Sequence, residues 1–153
     1  MAPKFVYQNV LDIRHSKVEA IEIQLSRVEK ILAELENRNA ALKNLKLRLL
    51  SEMQVQMQGE LDIHQLDMLR SNVIIVDGGI VRVEKEIEEA RRTRQQVLNS
   101  LISAKQDEET LEVLKEKAVE KFNDEMKRIE NVQQDDIYIS LAFKQSQQGV
   151  RYG

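Results

Sequence analysis

Steps of three and four residues from Leu11 land on Leu11, Arg14, Val18, Ile21, Leu25, Val28, Leu32, Leu35, Asn39, Leu42, Lys46, Leu49, Met53 and Gln56. Ten of these fourteen positions are apolar. A second walk from Ile80 lands on Ile80, Val83, Ile87, Ala90, Arg94, Val97, Leu101, Ala104, Glu108, Leu111, Lys115, Ala118, Phe122, Glu125, Ile129 and Val132. Twelve of these sixteen are apolar, against 42% hydrophobic residues in the whole chain. A stripe held at a 3.5-residue period keeps one face of a helix against a partner helix. The pattern predicts two long helices, over residues 4–58 and 80–147, in a single coiled-coil domain spanning 1–153.

The segment 59–79 interrupts both walks. Gly59 weakens the end of the first helix, and Asp62 with Gln65 resembles a capping box. Leu66, Leu69, Val73 and Val76 recur at helical spacing, which suits a short middle helix. Ser71-Asn72 could instead begin a strand through Val73–Val76, closed by Asp77-Gly78-Gly79, a hairpin-turn signal. Either way the chain turns back here. The two helices would extend ~80 Å and ~100 Å at ~1.5 Å per residue if they ran on. Folded back, they satisfy each other's stripes. The fold class is therefore all-α: a long antiparallel two-helix coiled-coil hairpin, with a short irregular or helical segment at the bend. Such a hairpin sets Gly78-Gly79 at the far tip and brings Phe5 near the Tyr138–Phe143 region. Its seam buries each side chain only partly, so both ends should fray.

Composition sharpens this reading. The chain has 153 residues, 32% charged, with a net charge of only −3. Five Gly and one Pro leave few turns, and three of the glycines fall at the single internal break. The absence of Cys removes disulfides and thiolate metal sites. The longest apolar run, Val73–Val76, is far too short to span a membrane, and the N-terminus lacks a secretory apolar region. A cytoplasmic protein is expected. A pI near 5.6 supplies no general field for nucleic acid, and the Arg91, Arg92, Arg94 cluster is offset by Glu86, Glu88 and Glu89.

Candidate chemistry is sparse. His15 and His64 are the only histidines. His15 with Asp12 or Glu19 could share a helix face and hold a metal, but a solvated surface is the plainer reading. No metal, cofactor or catalytic residue is assigned, and no enzyme activity is expected. Gly78-Gly79 lacks the pattern of a phosphate loop and reads as a bend, or as a point of close backbone approach. The polar stripe positions Arg14, Asn39, Lys46, Arg94, Glu108 and Lys115 would fix register, or mark places where the hairpin opens or meets another subunit.

The opening Phe5-Val6-Tyr7-Gln8-Asn9-Val10-Leu11-Asp12-Ile13-Arg14, followed at once by a charged helix, resembles the FliJ family. Its members are small components of the flagellar type III export apparatus, related to the YscO-type stalk proteins of injectisomes. The second half agrees: Leu111-Glu112-Val113-Leu114-Lys115-Glu116-Lys117, then Phe122 and Glu125, then Glu130, Asp135-Asp136-Ile137 and Phe143. Val73–Gly79 has no counterpart in that pattern. The resemblance implies an antiparallel two-helix coiled coil, similar to the central stalk of rotary ATPases, without catalytic activity of its own. It implies three partners: a hexameric export ATPase, an export gate protein and export chaperones. The open end, with Asp12, Ile13, Arg14, Phe122, Glu125 and Ile129, is then expected to enter the ATPase ring. The stripe nearer the bend, with Leu42, Leu45, Leu49 and Val83, is expected to meet the gate. Leu45 lies off the stripe, either for docking or because the seam is wide there. Location at the cytoplasmic face of the membrane would come through partners only, and the chain should be monomeric in isolation.

Two other readings share the same pattern. A prefoldin-like chaperone subunit also has two long helices, and Val73–Val76 could be one of its strands. A structural coiled-coil adaptor needs only the stripes.

Overall fold

The computed structural model describes residues 4–59 and 62–151, with side chains through residue 147. Two helices, α1 (Gln8–Gln58) and α2 (Ile63–Arg151), account for nearly all of them. They run antiparallel and pack against each other as a helical hairpin. No strand occurs among the described residues. Contacts group residues 16–105 into one compact unit, and residues 1–15 with 106–153 into another.

In the 16–105 unit, the stripe walk becomes the core. Val18, Leu101 and Ala104 form one buried cluster, with Ile21 and Leu25 packed on it. Leu32, Val83 and Ile87 form a second, joined by Leu35, Leu42 and Ala90. Every position of the α1 walk that lies in this unit is buried or half-buried. Asn39 shows the cost of a polar residue there: its Oδ1 is buried without a hydrogen-bond partner, a loss of roughly 1–3 kcal/mol.

The bend is much shorter than the expected 59–79. α2 begins at Ile63 and continues through Gly78 and Gly79 without interruption. No described glycine has a positive φ. The segment is therefore neither a strand nor a separate middle helix, and Gly78-Gly79 is not the tip. Phase explains this. Leu66, Leu69, Val73 and Val76 lead into Ile80, Val83 and Ile87 in alternating steps of three and four, and Leu69, Val76, Val83 and Ile87 are all buried. Burial of such side chains gives roughly 1.5–3 kcal/mol each. Two helical glycines cost only about 1 kcal/mol each. Gly79 faces the seam, where a Cβ would sit 3.5 Å from Leu42 Cδ1, and Gly78 faces open space. The strand on which a prefoldin-like reading depends is thus helix.

The chain reverses between Gln58 and Ile63. Asp62 performs the capping role its sequence position suggests. Its Oδ1 accepts hydrogen bonds from the backbone N–H groups of His64 (3.1 Å) and Gln65 (3.4 Å), and its carbonyl accepts the first bond of the helix, from Leu66. This satisfies N–H groups that a helix start otherwise leaves open.

In the other unit, Leu11 and Leu111 are buried. The Arg14 guanidinium donates to the Asp107 carbonyl at 2.7 Å, and His15 Nδ1 lies 3.1 Å from Glu108 Oε1. These two pairs set the local register and place Phe5 level with the region around Lys117. Phe5 does not reach Tyr138–Phe143: its ring packs edge-on against Tyr7 at 5.8 Å, while Tyr138 and Phe143 are 74% and 63% exposed. α2 simply outruns α1. From Asn123 to Gln147 every side chain is exposed, a stretch of about 37 Å at ~1.5 Å per residue.

Candidate partner-binding surfaces

The polar stripe positions sort by what they meet. Lys46 pairs with Asp77 at 2.7 Å, Arg94 with Glu29 at 3.6 Å, and Glu108 with His15. Further pairs across the 16–105 seam are Glu22–Lys105, Glu36–Arg91 and Lys43–Glu84. On α1 the partners Glu22, Glu29, Glu36 and Lys43 recur every seven residues. The sign changes along the row: three acids on α1 face bases on α2, then a base faces an acid. Exposed pairs of this kind contribute about 0–1 kcal/mol each. A shift of register would bring like charges together, so their larger effect is on alignment. The arginine cluster is absorbed in the same way: Arg91 and Arg94 reach α1, and Arg92 bonds Glu88 within its own helix.

The residues expected at the ATPase all fall in the unit of 1–15 with 106–153, in different settings. Asp12 is exposed and accepts a hydrogen bond from Gln8 Nε2 at 2.9 Å. Ile13 is 67% exposed. Arg14 is committed to the Asp107 carbonyl. Phe122 is half-buried, Glu125 accepts from Arg128 at 3.1 Å, and Ile129 is exposed. Ile13 and Ile129 therefore offer free apolar surface, while Arg14 helps to hold α1 on α2.

The residues expected at the gate fall in the 16–105 unit, and they are not an exposed stripe. Val83 is 6% exposed and sits in the core, and Leu42 packs on the same cluster. Leu45 and Leu49 are half-buried, so the seam is wide at that level. The periodic walk is the reason: residues chosen for lying on the stripe are those that α1 and α2 use on each other. Free apolar surface in this unit lies off the stripe, at positions such as Ile23, Leu47 and Val55 on α1 and Met68, Ile74, Ile75, Val81 and Ile102 on α2. A further exposed apolar set is Ile137, Tyr138, Ile139, Leu141 and Phe143, in a region expected beside Phe5 and not assigned to a partner. Its signal was the unequal length of the two helices.

No described residues group as a metal site, and no described helix is long and apolar enough to cross a membrane.

No curated protein and no solved structure gives a significant match. The family described as "Flagellar FliJ protein" matches residues 3–147. That match takes in the whole of α1 and all of α2 except its last turn. On this breadth, over a helical hairpin of the kind its opening residues imply, the chain belongs to the flagellar FliJ protein family.

Proposed function

We propose that the chain is a non-enzymatic coupling protein of the flagellar export apparatus, a central stalk that docks in the export ATPase ring and links it to the export gate and chaperones. Family membership gives the role in flagellar export. The observation that carries the finer reading is the exposed apolar end of α2. A helix that leaves Ile129, Val132, Ile139 and Phe143 uncovered has surface that burial on a second protein would stabilise. Asp12, Ile13 and Arg14 belong to the same unit and complete the ATPase-facing set with Phe122, Glu125 and Ile129. A ring subunit in one nucleotide state would meet these groups differently from a subunit in another, and such differential contact energy shifts the balance between states.

The gate-facing set keeps Leu45 and Leu49 as contact residues. Leu42 and Val83 serve it from beneath, by holding the two helices at their level. The chain acts in the cytoplasm and reaches the membrane through its partners.

The test is turnover of the cognate export ATPase with and without this protein. Stimulation should fall at least severalfold for Ile13→Asp with Ile129→Asp, both exposed, while helicity stays unchanged. Undiminished stimulation would remove the ATPase assignment. Leu45→Ala with Leu49→Ala should weaken capture of the gate protein and leave ATPase stimulation intact; unchanged capture by a folded variant would remove the gate assignment.

A further inference from the structure

The two compact units differ in charge. Residues 16–105 carry fourteen acids and fourteen bases, so the net charge of −3 lies wholly in residues 1–15 with 106–153. Within that unit it concentrates where α2 is uncovered. Between Ile129 and Phe143 every side chain is exposed, and Glu130, Asp135 and Asp136 stand there without a single base. The residues three and four positions from Asp135 and from Asp136 are all uncharged, so neither carboxylate has a counter-charge on its own helix face. Asp136 lies on the stripe itself, in the steps of three and four that join Ile129, Val132, Asp136, Ile139 and Phe143.

The covered seam shows what a charged stripe residue meets. Lys46 pairs with Asp77, Arg94 with Glu29, and Glu108 lies against His15, each time across to the other helix. Asp136 continues the same stripe beyond the reach of α1. The apolar residues around it need a cover, and its carboxylate needs a base on that cover.

We propose that Ile129–Phe143 is a docking surface for an amphipathic helix of a different protein, one that carries bases level with Asp135 and Asp136. The apolar face of that helix covers Ile129, Val132, Ile139 and Phe143, as α1 covers the stripe further back. Apolar burial supplies affinity. Charge selects the partner, because an acidic helix sets like charges together beside a surface that is losing its water. The same repulsion disfavours a second copy of this segment, which would bring two stretches of acids together, and an anionic lipid surface. This inference rests on the reading that the uncovered end of α2 is where a partner docks, and it adds the chemistry of that partner.

The experiment uses the full chain and two synthetic helical peptides, four heptads long, with the same leucine stripe. One carries Lys and the other Glu at the positions flanking the stripe. Fluorescence anisotropy reads binding, and hydrogen exchange locates the bound peptide. At low salt the Lys peptide should bind about tenfold or more tightly than the Glu peptide. The difference should shrink in molar salt, where screening acts within ~3 Å. Bound Lys peptide should protect amides of 129–143. Asp135→Lys with Asp136→Lys, shown by circular dichroism to be folded, should remove or reverse the preference. Equal binding of the two peptides, binding of neither, or protection only elsewhere on the chain would overturn the proposal. So would an unchanged preference in the variant, or self-association that protects 129–143 without any peptide. No ATPase is present in this assay, so its outcome is separate from the test with Ile13 and Ile129: a lost preference alongside intact ring stimulation removes the basic partner and leaves docking standing.

Discussion

Two stretches of α2 carry the same kind of apolar stripe and meet opposite fates. Between Leu66 and Leu111 the stripe is covered: Leu69, Val76, Val83, Ile87, Val97, Leu101, Ala104 and Leu111 are all buried. From Asn123 to Gln147 every side chain is exposed, although Ile129, Val132, Ile139 and Phe143 keep the period. The difference lies in α1, which has 51 residues against 89 in α2. Periodicity shows that a helix wants a partner. Only the position of the chain reversal shows which part receives one from its own chain. The covered part holds the fold, and the uncovered part is where a function by contact should be sought.

The same substitution at the two places breaks this comparison most sharply. Val83→Asp puts a carboxylate into the cluster with Leu32 and Ile87 and should cost about 3 kcal/mol or more. Val132→Asp, on an exposed face, should change the stability of the dilute chain by no more than about 0.5 kcal/mol. Urea midpoints measured at unchanged slope give both values. Similar losses at the two positions would mean that α2 is covered beyond Phe122 after all.

A smaller effect tests where the covered part begins. Asp62→Ala removes the acceptor at the start of α2 and should cost about 1 kcal/mol. No loss in the urea midpoint would mean that the helix does not start at Ile63.

The smallest expected effect has the most telling sign. Gly78→Ala should stabilise by about 0.5–1 kcal/mol, because the position is helical and open. Gly79→Ala should also be tolerated, since 3.5 Å from Leu42 is ordinary contact. Were these glycines a bend, thermal melting would show both substitutions lowering stability.

Much of the seam was legible in the sequence. The fourteen-position walk from Leu11 names residues that are each buried or half-buried. Asp62 was legible as a cap because its type and its spacing to Gln65 are local signals. The reversal was harder to place. Two adjacent glycines after a β-branched run read locally as a turn, whereas the phase shared by Leu69, Val76 and Val83 is a property of the whole helix, and burial along α1 decided in its favour. That one misplacement propagated. Each residue by which a reversal moves shifts the partner of a given α1 residue by two, so Phe5 was matched to Tyr138 instead of to the region of Lys117. Of the proposed contact residues, Ile13 and Ile129 are exposed, whereas Val83 is buried. A stripe walk finds residues that need covering, and it does not distinguish those covered within the chain from those left for a partner.

Hydrogen exchange of the free chain, read segment by segment at low protein concentration, tests the central claim most directly. Amides from about Leu66 to Leu111 should form one slowly exchanging stretch, continuous through Gly78 and Gly79, because their opening requires loss of the seam. Amides from Asn123 to Gln147 should exchange much faster, and should gain protection when a partner covers them. Rapid exchange across 63–79, or protection of 123–147 equal to that of the seam in the dilute chain, would contradict the account.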